Sequence, residues 1–242
     1  IQQEAQQLFE KHPVVKIINP VAYVTNTLRF STTKTAIGEN KSAFEMLERV
    51  GNELQQASLE ISAQQLQSLK ISVESFKLWP LRHLKQYSQA IKICRAIYPA
   101  VAKRNEADKF TVLFEFAMSL FFNNEIDEAI DRVDELLRIK SDIRSDIQPY
   151  VRILAIMIQL QVNNYALVPH LVKATRLWFK KHQVASDEFN LFFKHALLIA
   201  NSASPITAWR NFKKAAQEGN LSSMSKLIHV DLWINNKIAG TT

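Results

Sequence analysis

The segment from Phe121 to Leu137 constrains the fold more strongly than any other part of this chain. A mostly apolar stretch ends at Phe122, the polar pair Asn123-Asn124 follows, and an amphipathic stretch then begins. The apolar residues of that second stretch recur at steps of three and four, at Ile126, Ile130, Val133, Leu136 and Leu137. The segment therefore predicts two antiparallel helices joined by a tight turn, with Ala129 where they cross.

Residues at corresponding helix crossings recur along the chain at near-constant intervals. The positions are Ala43, Ala90, Ala129, Val168 and Ala208, which are 47, 39, 39 and 40 residues apart. Intervals of about 40 residues are typical of paired-helix repeats, and such hairpins stack because none can bury its apolar face alone. We therefore predict an all-α fold, an α-solenoid of about five antiparallel helix hairpins, as a single repeat domain over 1–242.

The register of these crossings also predicts where the helices lie. The five hairpins occupy 20–218, paired as 20–36 with 39–57, 62–84 with 86–104, 107–122 with 125–140, 146–162 with 165–182, and 186–201 with 204–218. Residues 1–12 have the character of the last helix of a preceding repeat, and 224–236 of a capping helix. Pro80 should kink or end its helix, because proline removes one backbone hydrogen bond. The chain begins at Ile1 rather than Met, so we expect a fragment of a longer protein.

Composition argues against several classes of site. Only four glycines occur in 242 residues, whereas an average protein has about 7%, and phosphate-cradling loops need glycine. The single cysteine, Cys94, excludes an intramolecular disulfide and a thiolate-cluster metal site. The six histidines show no metal-ligand spacing. We expect no enzyme activity, no metal and no cofactor, and interpret Cys94 and His195 as core residues.

Location and membrane association can be addressed from hydropathy. A transmembrane helix needs a run of about 18 or more apolar residues, and the best candidate, 151–162, contains Arg152, Gln159 and Gln161. We therefore expect no membrane contact. The lone cysteine suits a reducing compartment, so a cytoplasmic location is the default expectation.

The residues from Phe110 to Ile143 resemble a tetratricopeptide repeat. The first-helix pattern of that family falls on Leu113, Phe116, Ala117 and Leu120, and the second-helix pattern on Ile126, Ala129, Val133 and Leu136. Ser141-Asp142 stands where the family usually has a proline. The stretches 142–154, 163–165 and 173–176 resemble an uncharacterised family of long bacterial tetratricopeptide-like proteins. The resemblance implies a superhelical fold and a role as an interaction scaffold.

The resemblance also implies that first helices line a concave surface. The matching side chains are apolar or aromatic, at Phe114, Met118, Phe121, Phe122, Tyr150, Ile153 and Met157. Because aromatic and Met side chains adapt to bound peptides, one interpretation is a groove that binds another protein, or another region of the full-length chain. The other interpretation is that these side chains are core.

Charge is distributed unevenly along the chain. Residues 125–146 carry 4 basic and 8 acidic groups, whereas residues 147–242 carry 11 and 4. The basic residues of the second region form a stripe at Lys173, Arg176, Lys180, Lys181, Arg210, Lys213 and Lys214. The stripe could bind nucleic-acid phosphates, with Trp178 or Trp209 stacking on bases, or it could be a solvated face with both indoles in the core. A third possibility is a structural spacer without a partner of its own.

A smaller set of charges is interpreted as structural. Asp146 lies near a predicted helix N-terminus, where the helix dipole favours a carboxylate, and it forms a set with Arg144, Arg152 and Arg176. We expect an arginine from the next helix to bind Asp146 and fix the angle between hairpins.

Overall fold

A computed structural model describes residues 2–56, 61–140 and 142–240 of the chain. Within those residues every regular element is helical, with fourteen α-helices and one π-helical turn. This confirms the predicted all-α class. The helices form two compact units, Ile1–Asn123 and Asn124–Thr242. The boundary falls inside the predicted third hairpin, and the single repeat domain stays a prediction.

Unit 1 contains the first seven helices. They are α1 (Gln2–Lys11), α2 (Pro13–Ile18), α3 (Pro20–Ala36), α4 (Asn40–Gln56), α5 (Ala63–His83), α6 (Tyr87–Val101) and α7 (Glu106–Phe122). Each helix from α3 onward packs against the next, and α1, α3, α5 and α7 also contact one another in series. The first helices of successive hairpins therefore lie side by side, with α4 and α6 packed against them.

Local sequence signals define the helix starts of unit 1. The Asn19 side chain accepts a hydrogen bond from the Ala22 amide at 3.2 Å, and Asn105 accepts one from the Asp108 amide at 2.8 Å. Ser62 and Gln65 form a reciprocal capping box at the start of α5. Each cap satisfies amides that have no partner inside the helix.

Unit 2 contains the remaining helices. They are α8 (Ile126–Arg138), α9 (Gln148–Gln161), α10 (Val168–Lys181), α11 (Asp187–Ala200), α12 (Pro205–Ala215), the π-helical turn Ala216–Asn220, α13 (Ser222–Ile228) and α14 (Val230–Ala239). Consecutive helices pack together from α8 to α12, and α9 also contacts α11 and α13. The odd-numbered helices of this unit again lie next to one another.

The ten helices of the predicted hairpins lie where the sequence predicts them. The helices at the two ends of the chain differ from the prediction. The predicted helix 39–57 ends at Gln56, and residue 57 lies outside the described residues. The helix containing Pro80 continues to His83 and ends there. A second helix, α2, follows the one predicted over 1–12. The predicted capping helix 224–236 is two helices, because His229 adopts a left-handed conformation with φ of 50°.

The two C-terminal helices are tied to the rest of unit 2 by polar contacts. The Glu188 carboxylate, in the first turn of α11, accepts hydrogen bonds from the Ser223 and Met224 amides at 2.9 and 3.3 Å and so caps α13. On α14, Trp233 donates its indole N–H to the Gln161 side chain at 3.0 Å. Lys237 donates to the Gln161 carbonyl at 3.0 Å. A cation at this position suits the negative end of the α9 dipole.

All five predicted crossing residues are buried, which makes them sensitive to added volume. Replacing Ala129 by Leu is expected to lower the free energy of unfolding by about 1 to 3 kcal/mol, because the extra carbons must displace packed neighbours. Chemical denaturation monitored by circular dichroism measures the effect. The matched control is Ala174→Leu, since Ala174 is an exposed alanine on α10. An unchanged midpoint for Ala129→Leu would contradict the predicted hairpin register.

Candidate binding surfaces

The side chains predicted to line a concave groove lie mostly in the core. Phe114, Met118, Ile153 and Met157 are at most 1% exposed, and Phe121 is 5% exposed. The physical reason is that α7 and α9 are apolar on nearly every face. On α7, for example, all residues from Phe110 to Phe121 except Thr111 are buried. These five side chains are therefore part of the core, as the second interpretation proposed, and a partner-binding role for them stays a prediction.

The two remaining groove candidates are half-buried and already have aromatic neighbours. The Phe122 ring stacks on Tyr87 with a centroid separation of 5.3 Å and an interplanar angle of 18°. The Tyr150 ring meets Phe189 edge-on at 5.5 Å. Burial, followed by the charge of Glu188, raises the pKa of the Tyr150 hydroxyl. These rings hold neighbouring helices together, which leaves little of their surface for a partner.

The predicted basic stripe, in contrast, reaches solvent. Six of its seven residues are exposed, and Lys213 is half-buried. On α10 the exposed cations are Lys173, Arg176, Lys180 and Lys181; on α12 they are Arg210 and Lys214. Both helices pack against α11. Within the described residues none of the seven cations forms a salt bridge, although the Arg176 guanidinium lies 5.4 Å from the Phe193 ring. Their charge is therefore not neutralised by this unit.

The tryptophans proposed to stack on bases are engaged internally. The Arg152 guanidinium lies 3.9 Å from the centroid of Trp178, and the His182 ring stacks on the same indole at 4.2 Å. Trp209 is buried and meets Trp233 edge-on at 4.9 Å. The expectation that Trp209 could stack on a base is wrong for this conformation. At Trp178, a base would have to displace Arg152 or His182.

The α8 helix of the same unit presents the opposite charge. Asp127, Asp131 and Asp134 are exposed, and they recur at steps of four and three, so they share one face of the helix. The α9 helix contacts both α8 and α10. Unit 2 thus carries an acidic face on α8 and a basic face on α10.

The arginine contact expected at Asp146 comes from a different residue. Arg144, two positions earlier, binds the Asp146 carboxylate through Nε at 2.9 Å and through a second nitrogen at 2.8 Å. This pairing holds the pKa of Asp146 below its usual value. Arg152 instead donates to the Gln148 side chain at 2.9 Å. The pair is local because the φ of Arg144 is 50°, a left-handed turn that brings both side chains together.

A buried ion pair in unit 1 was not anticipated from the sequence. Nε of Arg82, on α5, lies 2.9 Å from Oε2 of Glu115, on α7, and the two side chains are only 2% and 11% exposed. Cys94 is buried nearby, and burial together with the negative charge of Glu115 raises the pKa of its thiol. Arg82 follows the buried Leu78 by four residues, and that placement of a charge on an apolar face was the available signal.

The surroundings of two histidines lower their pKa values. His195 is buried, as predicted, and its ring lies parallel to Phe212 at 4.9 Å. Burial, and then the charge of Lys194, lowers the pKa of His195. Burial, and then the charge of Arg82, lowers the pKa of His83 to about 4. Both histidines bind protons more readily in the unfolded chain than in the folded one.

The lowered pKa values of His83 and His195 predict how stability depends on pH. Because the unfolded chain takes up more protons as pH falls below about 6.5, the free energy of unfolding should be lower at pH 5 than at pH 7. Urea denaturation at the two pH values measures this difference. The double variant His83→Gln, His195→Phe should show a smaller difference than the wild-type chain. Equal stability of the wild-type chain at both pH values would contradict the lowered pKa values of the two histidines.

Comparisons with known proteins leave the family open. The chain matches no protein-family model, no curated protein and no solved structure. The described residues include no group of three or more His, Cys, Asp or Glu side chains arranged to hold a metal ion. Among the helices described, none is long and apolar enough to cross a membrane.

Proposed function

We propose that this chain is a non-enzymatic helical-repeat module that binds another protein. The observation that supports this most directly is the contact pattern of the first helices. In unit 1, α3, α5 and α7 pack in series, and in unit 2, α9, α11 and α13 do the same. Such series are typical of tetratricopeptide-like solenoids, in which each repeat contacts its neighbours and the array presents an extended surface to partners.

The binding surface we propose is the outer faces of the second helices. The predicted inner residues are buried, so a partner could reach them only after the helices separate. The second helices of unit 2 instead expose charged faces, acidic on α8 and basic on α10 and α12. Exposed charge of one sign on one helix gives specificity to association more than affinity.

Crosslinking in the native cell tests the proposal. The complete natural protein would carry a photo-reactive amino acid at Ala174, which is exposed on α10. The same label at Ala117, which is buried, provides the matched control. We expect a discrete adduct with one protein from the Ala174 position and none from Ala117. If Ala174 yields only scattered adducts, the module has no specific partner there and the spacer interpretation is favoured.

A second candidate function is nucleic-acid binding through the same basic face. The observation that favours it is the exposure of six cations without salt bridges among the described side chains. Binding to single-stranded RNA that weakens linearly with the logarithm of salt concentration would support it. The contacts that already cover Trp178 and Trp209 weigh against it, because sequence-tolerant binding of single strands depends on free aromatic rings.

A further inference from the structure

We propose that the exposed face of α10 binds an acidic amphipathic helix of a partner protein. This face is formed by Lys173, Arg176, Leu177, Lys180 and Lys181, all of which are exposed. The inference rests on the proposed function, since it names the chemistry of the partner that the module binds. Four observations carry it: the unpaired charge, an apolar side chain among the cations, the short length of the face, and the acidic helix in the same unit.

The charge on this face calls for an anionic partner. Residues three and four apart on a helix lie about 5 to 6 Å from each other, so Lys173, Arg176 and Lys180 form one row. Acidic residues at the same spacing on a second helix would meet all three cations. The sequence of this chain shows that the pattern is compatible with a helix, because Asp127, Asp131 and Asp134 of α8 have that spacing in reverse order.

Leu177 indicates that the partner also has an apolar stripe. Its side chain is 61% exposed and lies between Lys173 and Lys180 on the same face. A polyanion such as a nucleic-acid backbone gains little from an exposed leucine. An amphipathic helix can bury it, and removal of a leucine side chain from water favours association. This apolar centre surrounded by charges is the usual arrangement of a protein interface.

The size and surroundings of the face favour a short partner segment over a long polyanion. From 173 to 181 the helix rises only about 12 Å at 1.5 Å per residue. A nucleic acid carries about one charge per 1.7 Å and would extend well beyond this face, whereas a helical segment of about the same length would match it. Because Arg152 and His182 cover Trp178, stacking on bases adds little to the binding of a nucleic acid here.

Binding of two anionic probes, a short helical peptide and a nucleic-acid duplex, tests the inference. The first is a fluorescent synthetic peptide in which Glu recurs at steps of three and four beside a leucine stripe, and the second is a 20-base-pair DNA duplex. By fluorescence anisotropy at about 0.1 M salt, we expect the peptide to bind more tightly than the duplex. Lys173→Glu with Lys180→Glu should weaken peptide binding by about tenfold or more, because attraction becomes repulsion at two contacts.

Two further variants separate this mechanism from a general charge effect. Lys92→Glu with Lys103→Glu changes the net charge equally, and both lysines are exposed in unit 1, so this control should bind the peptide like wild type. Leu177→Ser should weaken peptide binding and leave duplex binding unchanged. Tighter binding of the duplex, or equal loss in the lysine control, would overturn the inference. A specific crosslink at Ala174 without peptide binding would overturn this inference alone, and loss of both would also overturn the proposed function.

Discussion

Replacing Arg82 by Met is expected to lower the free energy of unfolding by about 3 to 5 kcal/mol. The substitution keeps most of the side-chain volume and removes the charge that faces Glu115 at 2.9 Å. Glu115 then loses the cation that Arg82 provides inside unit 1, and its carboxylate must either remain charged with less stabilisation or take up a proton. Guanidinium denaturation followed by circular dichroism measures the loss, which should shrink as pH falls and Glu115 becomes neutral.

The double variant Arg82→Met, Glu115→Leu distinguishes the cost of removing one partner of the ion pair from the cost of lost packing. Replacement of a whole buried ion pair by apolar residues of similar volume is often neutral or stabilising. We therefore expect the double variant to recover most of the stability that the single variant loses. Arg104→Met provides a second comparison, because Arg104 binds Ser68 at the partly exposed surface of the same unit. A double variant as unstable as Arg82→Met would show that the pair contributes through packing alone.

The helices of this protein could be predicted from the sequence because two simple signals agree. Apolar residues at steps of three and four mark the buried face of α8, and the buried residues Ala43, Ala90 and Ala129 mark close helix approach. The break between α13 and α14 could not be predicted in this way. Its cause is the left-handed backbone of His229; histidine is enriched in that conformation, but only a few per cent of non-glycine residues adopt it, so one histidine does not predict a break.

Of the candidate surfaces, one could be predicted from the sequence and the other could not. Periodicity shows which side chains share a face, and it does not show whether another helix covers that face. Burying unpaired charge is costly, so the basic residues of α10 are expected to lie at the surface, and they are exposed. For α7 and α9, which are apolar on nearly every face, a groove and a core have the same pattern. Only the packing of the helices shows that Phe114 and Met157 are core.

Truncating a side chain that was predicted to line the groove should therefore lower the stability of the fold. Phe114→Ala is expected to lower the free energy of unfolding by about 3 to 5 kcal/mol, and Met157→Ala by about 2 to 5 kcal/mol, because each leaves a cavity in a closely packed interior. Phe76→Ala is the matched control. That ring is 41% exposed, so its loss should lower stability by clearly less than the loss of Phe114 does.

The same comparison decides how a binding experiment on these residues must be interpreted. If Phe114→Ala abolishes partner binding and also lowers the denaturation midpoint, the loss of binding follows from unfolding. If instead Phe114→Ala melts like the Phe76→Ala control and still loses the partner, Phe114 must be accessible in solution. That result would restore the groove, because a side chain that contributes nothing to packing can affect a partner only by contact. Measuring both quantities on one preparation of each variant therefore separates core from groove.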